Sequence, residues 1–202
     1  DYEGALRVAQ ELDSKINTLG FSEASLNQQK ARVEFMRFIA YANNQQEEEA
    51  FTALSARKDY STAAMSLMEI DEIIQRDFDS FNAQMEAWHY ILFGKYDKAE
   101  EQLKRLYPIA SKIQSPSALD NYNALSGMVR LFTGDTPGSL SYFNENINPE
   151  NYQYYSYFKG LALKQAGQKE DARAIFDYIS NYNFNSWEAA LVRSRAKKQL
   201  EP

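Results

Sequence analysis

Cysteine is absent from the 202-residue chain, and histidine occurs once, as His89. The first absence removes disulfides, thiolate nucleophiles and cysteine-ligated metals. The second leaves any triad or imidazole acid–base scheme with a single candidate. Only eight Gly and five Pro punctuate the chain. No apolar run approaches the roughly 18–20 residues of a membrane-spanning helix, and no secretory signal stands at the start. Positive charge is in deficit: 22 Lys and Arg stand against 28 Asp and Glu, a net charge of −6. Non-specific nucleic-acid binding needs a basic face that displaces counterions, so the balance argues against a nucleic-acid partner. It argues equally against a general attraction to anionic membranes. A cysteine-free chain fits a periplasmic or other extracytoplasmic bacterial setting better than the cytosol.

What is present is helical. Apolar residues recur at spacings of three and four, as in Val33, Met36, Phe38, Ile39 and Tyr41, and again in Ala64, Leu67, Met68, Ile70 and Ile74. Fourteen Tyr and twelve Phe supply large apolar bodies for a core. The pattern predicts an all-α chain of about 11 helices, near 2–18, 23–42, 46–57, 60–76, 80–93, 96–113, 117–133, 137–146, 151–166, 169–181 and 186–199. Ser115-Pro116, Thr136-Pro137 and Asn148-Pro149 each place a capping side chain before a proline, a helix-start signature. Asn185 followed by Glu188 reads as a capping box. Pro108 is expected to kink its helix or divide it.

One set of intervals returns along the chain. From Gly160, offsets of seven, twelve and sixteen give Gly167, Ala172 and Phe176. The same offsets give Gly134, Ser139 and Phe143 from Gly127, and Gly94, Ala99 and Leu103 from Ala87. A weaker copy is Phe51, Lys58, Ala63 and Leu67. Mechanically, a small residue midway along one helix lets a second helix approach. A glycine ends the first helix, and a second small residue and a large apolar one complete the contact. Such a hairpin cannot bury its faces alone and is stabilised by stacked neighbours.

The intervals, with the wording GKYDKAEEQL at 94–103 and AGQKEDARAIF at 166–176, resemble the tetratricopeptide repeat. The resemblance implies a right-handed superhelical solenoid of antiparallel helix hairpins and covers residues 45–200. The expected layout is a single domain, 1–202. Residues 1–44 form irregular N-terminal helices, 45–182 four hairpins, and 186–199 a capping helix with Arg193, Arg195, Lys197 and Lys198 in solvent. The 40-residue interval between Ala87 and Gly127 implies a second helix extended towards Ile113. The opening DYEGALRVAQEL reads as the second helix of a repeat whose first is missing, as expected of a mature form or a piece cut from a longer protein.

No catalytic set announces itself. His89 lies in AWHYILFG with no sequence neighbour to orient it, and reads as a packed or groove-lining residue. No HExxH, phosphate loop or dinucleotide fingerprint occurs. The run Glu47–Glu49 fits the first turn of a helix, where negative charge is favoured, better than a metal site. No metal and no cofactor are therefore expected.

In tetratricopeptide arrays the first helices line a concave surface. The resemblance accordingly implies a groove formed by Glu48, Thr52 and Ser55; Gln84, Trp88 and Ile91; Asn121, Ala124 and Met128; and Tyr154, Tyr157 and Lys164. The Lys, Arg and Asn clamp of members that hold acidic chaperone tails is represented only by Lys164 and Asn121, which argues against that partner. The leading expectation is a non-enzymatic scaffold binding a peptide or partner protein in this groove. The rivals are a sensor or assembly module of a longer bacterial envelope or signalling protein, and a small-ligand or enzymatic pocket around His89 and the tyrosines.

Overall fold

Helices leave their last carbonyls without intrahelical donors, and something must take them up. At four places in this chain one arrangement does so. In the computed structural model, which describes residues 1–184 and 186–201, Gln45, Gly94, Gly134 and Gly167 adopt φ of 60°, 69°, 87° and 79°. The N–H of the following residue then reaches back to the carbonyl five positions earlier: Gln46 to Tyr41 at 3.0 Å, Lys95 to Tyr90 at 2.8 Å, Asp135 to Arg130 at 2.9 Å and Gln168 to Leu163 at 2.9 Å. The positive-φ residue itself donates to the carbonyl three positions back. This pair of bonds is the Schellman closure, which glycine accommodates without a Cβ penalty.

Among the described residues the chain is all-α, with ten helices and no strand: α1 (Tyr2–Ile16), α2 (Glu23–Asn43), α3 (Glu47–Ser66), α4 (Glu72–Leu92), α5 (Tyr96–Ala110), α6 (Asp120–Phe132), α7 (Thr136–Phe143), α8 (Gln153–Gln165), α9 (Lys169–Asn181) and α10 (Trp187–Leu200). The chain divides into two compact units, Asp1–Lys95 and Tyr96–Pro202. In the first, α2 packs on α1, α3 and α4, and α3 on α4. The close α2–α3 pairing is alanine-rich, with Ala40, Ala42, Ala50, Ala53 and Ala64 all buried. In the second, α6 pairs with α7 and α8 with α9; α5 packs on α6, α7 on α8, and α10 on both α8 and α9.

The helix count is ten, not eleven, because the expected break at 58–59 does not exist. Helix α3 runs straight through it, and the chain turns instead at 67–71, where the Asp71 carboxylate accepts from the Ile74 N–H at 2.8 Å. The break expected at 77–79 is likewise inside α4. Lys58 is therefore a mid-helix residue and the copy at Phe51, Lys58, Ala63 and Leu67 is not a hairpin. The fourth copy is Phe38, Gln45, Ala50 and Leu54, at the same offsets, with Phe38 and Ala50 fully buried and Leu54 nearly so. Its two glycine positions carry Phe and Gln, which hid it in the sequence.

Other starts and stops differ for local reasons. Pro108 sits in the last turn of an unbroken α5, and the helix ends at Ala110, two residues after the missing N–H. The extra length before Gly127 goes into the connection 111–119, not into a longer helix. Helix α6 starts at Asp120, five residues after Ser115, which instead engages Ser117. Asp135, one residue before Thr136, caps α7 by accepting from Gly138 N–H. Asn148 closes a turn through Asn151 N–H, and α8 begins only at Gln153. Asn185 lies outside the described residues; Ser186 caps α10 by accepting from Ala189 N–H at 3.0 Å.

The second unit shows why the small residues recur. The Phe143 ring lies on Gly127 and the Phe176 ring on Gly160: a Cβ at Gly127 would stand 2.9 Å from Phe143 Cε1, and one at Gly160 2.6 Å from Phe176 Cε1. Ser139 turns its hydroxyl inward to donate to Gly127 O at 2.9 Å. Such overlaps force neighbours to move, at about 1–3 kcal/mol.

Two stability measurements test these assignments. Alanine normally gains about 1 kcal/mol over glycine inside a helix, yet Gly160→Ala is expected to destabilise by roughly 1–2 kcal/mol in urea unfolding, because overpacking outweighs propensity. Adding Phe176→Leu should recover part of that loss; an increase in stability for Gly160→Ala alone would contradict the contact. Gln45→Gly relieves a left-handed non-glycine residue and is expected to stabilise by about 1 kcal/mol. A loss of stability there would remove the fourth turn from the set.

Candidate functional site

The two units each hold a cleft between three consecutive helices, at matching positions. In the first unit α1, α2 and α3 enclose a cleft of about 910 Å³, and in the second α5, α6 and α7 enclose one of about 290 Å³. Counted from Phe38 and Gly127, Arg37 and Tyr41 in the first occupy the places of Ser126 and Arg130 in the second.

The larger cleft has an apolar lining of Leu6, Tyr41, Ala53 and Ala56. Its carboxylates are Glu3, Glu34, Glu48 and Glu49, against the guanidinium groups of Arg7 and Arg37. Arg37 is fixed from two sides: it donates to Asp13 Oδ2 at 2.9 Å and pairs with Glu34. Glu48 and Thr52 are exposed on α3, the second helix of its hairpin and not the first, so they reach this cleft from the side opposite to expectation.

The remaining expected groove residues divide by burial. Trp88, Met128 and Tyr154 are fully enclosed, as are Ile91 and Ala124. Trp88 packs edge-on to Phe38 at 5.4 Å, and Tyr154 meets Tyr155 and Phe158 at 5.6 and 5.2 Å. These side chains present no surface to a partner, because large aromatics are the groups most able to fill the space between helices. Tyr157 is 7% exposed, lies 5.8 Å from the Phe176 ring and hydrogen-bonds the Gln199 side chain. Lys164 is exposed and donates to Gln199 at 2.9 Å, beside a small cleft of about 230 Å³ that it shares with Lys169 and Arg173. Gln84 and Asn121 are half-buried, as is Ser55. The structure thus brings Glu48 and Thr52 together, and Tyr157 with Lys164, while Trp88, Ile91, Ala124, Met128 and Tyr154 serve the core.

The smaller cleft was missed in the sequence. Tyr107, Tyr122 and Tyr142 come from three different helices, with ring centroids 5.0 Å apart for the first pair and 6.2 Å for the second. Burial, and then the hydroxyl of Tyr142, raise the Tyr122 phenol above its usual range. Nothing in one helix's pattern pairs these rings.

His89 is buried among Phe38, Phe51, Tyr90 and Phe93, with ring centroids between 5.0 and 6.3 Å. Its Nδ1 has no hydrogen-bond partner among the described residues. Burial pushes the imidazole down to about 4, the Lys95 ammonium adds to the drop, and the Glu47 and Glu86 carboxylates oppose it. Glu47 in turn pairs with Lys95. Among the described residues no cluster of His, Asp and Glu suits a metal ion, and no helix is long and apolar enough to cross a membrane.

Two distributions stand out. The first unit carries sixteen Asp and Glu against nine Lys and Arg, the second twelve against thirteen, so the excess negative charge resides in the first. Of the helix-spaced set Ala64, Leu67, Met68, Ile70 and Ile74, Ala64 is buried, whereas the other four are 40–49% exposed around the α3–α4 turn, joined by Ile73 at 57%.

Comparison of the chain with protein-family models, with curated proteins and with solved structures finds no match.

A neutral buried imidazole makes stability depend on pH. Because the folded-state pKa lies below the unfolded value of about 6.5, stability is full above that pH and falls as pH drops towards 4. Between about pH 7.5 and 5 the protein should lose about 2 kcal/mol more than its His89→Phe variant, measured by denaturant unfolding at each pH. Equal losses would show that His89 titrates normally.

Proposed function

We propose that this chain is a non-enzymatic interaction scaffold of the tetratricopeptide type, with a partner protein docking on its first unit. The four Schellman closures at common offsets, three of which join helices packed on one another (α2 on α3, α6 on α7, α8 on α9), support the repeat reading. The right-handed superhelical stacking that the resemblance implies belongs to the same reading.

The observation that carries the functional part is the exposed apolar turn. Five large apolar side chains stand out within eight residues, Leu67 to Ile74. Helices α2 and α3 are antiparallel, so the α1–α2 turn lies at the same end; Gln28 Nε2 reaches Met68 Sδ at 3.5 Å, and Leu19 and Phe21 are 62% and 41% exposed there. Large apolar side chains exposed together in this way mark a docking site. Exposed Glu69, Asp71 and Glu72 interleave it, in the unit that holds the chain's excess of carboxylates. The fitting partner is therefore an apolar segment flanked by Lys or Arg, since complementary charge steers and orients such encounters. The cleft containing Glu48 and Thr52, of a size suited to a peptide side-chain run, offers the same acidic character to a continuation of that segment.

Affinity capture from the source cell tests the proposal with two variants. Ile70→Ser/Ile73→Ser alters only exposed side chains, so its unfolding free energy should stay within about 0.5 kcal/mol. Its capture of the partner should fall by about tenfold or more. Thr52→Trp, which obstructs the cleft, should weaken capture less. Undiminished capture by the double variant would overturn the assignment.

A further inference from the structure

The cavity between α5, α6 and α7 lies wholly within the second unit, apart from the apolar turn and the acidic cleft of the first. Its inner side is formed by Leu103, Val129 and Ser126, all buried. Its sides are the tyrosines 107, 122 and 142, tilted 55° and 80° to one another in sequence. Its volume of about 290 Å³ is near the lower bound for small-molecule sites and matches one ring-sized group.

The mouth is charged. Arg130 is engaged by Glu100 at 3.4 Å, whereas Lys104 makes no hydrogen bond or ion pair with the described residues. A cavity lined by Leu103, Val129 and three tyrosine rings, with one unpaired ammonium among its lining residues, is complementary to a ring that carries a carboxylate. The ring gains contact with tyrosine faces and edges, and the carboxylate gains charge-assisted hydrogen bonds. A quaternary ammonium, the other common guest of tyrosine clusters, would face Lys104 at the same mouth.

We infer that this cavity binds an aromatic ring bearing a carboxylate two or three bonds away, either as a free arylalkanoate or as the C-terminal aromatic residue of a peptide. Both sources share the chemistry, and the site discriminates them by whether chain can leave past Tyr107, which is 48% exposed.

The test uses the full chain and amide chemical shifts as readout, with 3-phenylpropionate, its neutral amide, and an acetylated tetrapeptide ending in Phe as probes. Shifts are expected at Ser126, Val129 and Arg130, with the amide binding about tenfold more weakly than the acid. Lys104→Glu, an exposed change, should weaken both acids about tenfold and leave the amide unaffected. Tighter binding of the tetrapeptide than of phenylpropionate assigns the peptide source, and the reverse assigns the free acid. No shifts at about 10 mM of any probe, equal binding of acid and amide, or indifference to Lys104→Glu would overturn the inference.

Discussion

Everything in this fold depends on how the first helix of each hairpin is stopped. Two N–H groups, one on a left-handed residue and one on its successor, satisfy the last carbonyls and reverse the chain within a few residues. The reversal sets the height at which the second helix starts, and so decides which side chains meet. At Gly127 and Gly160 the meeting is a phenylalanine ring against bare backbone. The turn is thus the cause and the ring packing the consequence, linked by fixed offsets along the chain.

The sequence made this relation legible where glycine carried it and concealed it where glycine did not. Gly94, Gly134 and Gly167 were readable as turns because left-handed φ is common for glycine and uncommon for other residues. Gln45 adopts the same conformation at φ 60° without that signal, so the sequence places this copy at Phe51 and Lys58, thirteen residues beyond Phe38 and Gln45. With a turn expected at Lys58, the single helix α3 reads as two, and the apolar residues 67–74 read as part of a helix over 60–76. Their exposure is the larger lesson. Helical spacing of apolar residues identifies a core only when the segment is helical throughout, and Asp71 breaks this one.

The candidate site was legible in a different proportion. Repeat resemblance selects helix faces by analogy, and on α4, α6 and α8 it selects side chains that the molecule spends on packing. Met128, Tyr154 and Trp88 are large enough to fill inter-helix space, which is where the structure puts them. On α6 the open face is the neighbouring one, with Tyr122 and Arg130, whereas on α3 the expected Glu48 and Thr52 are themselves exposed. Convergence of residues from three helices, as in the tyrosine cavity, has no signature in any one segment. The carboxylate of Asp120 makes the same point: buried at the start of α6, it accepts from the Tyr152 hydroxyl at 2.6 Å and the Asn146 amide at 2.8 Å, both from the connection before α8.

The central claim is that the four closures are integral to the folded core and do not fray as surface turns. Native-state hydrogen exchange reads it directly, at the N–H groups of Gln46, Lys95, Asp135 and Gln168. Local openings cost little, whereas groups exposed only by global unfolding are protected to the full stability of the molecule. The account predicts that all four amides exchange with the same protection as buried helical amides such as those of Leu125 and Ala162. Exchange at any of them approaching the rate of an unstructured chain, with the helices still protected, would contradict it.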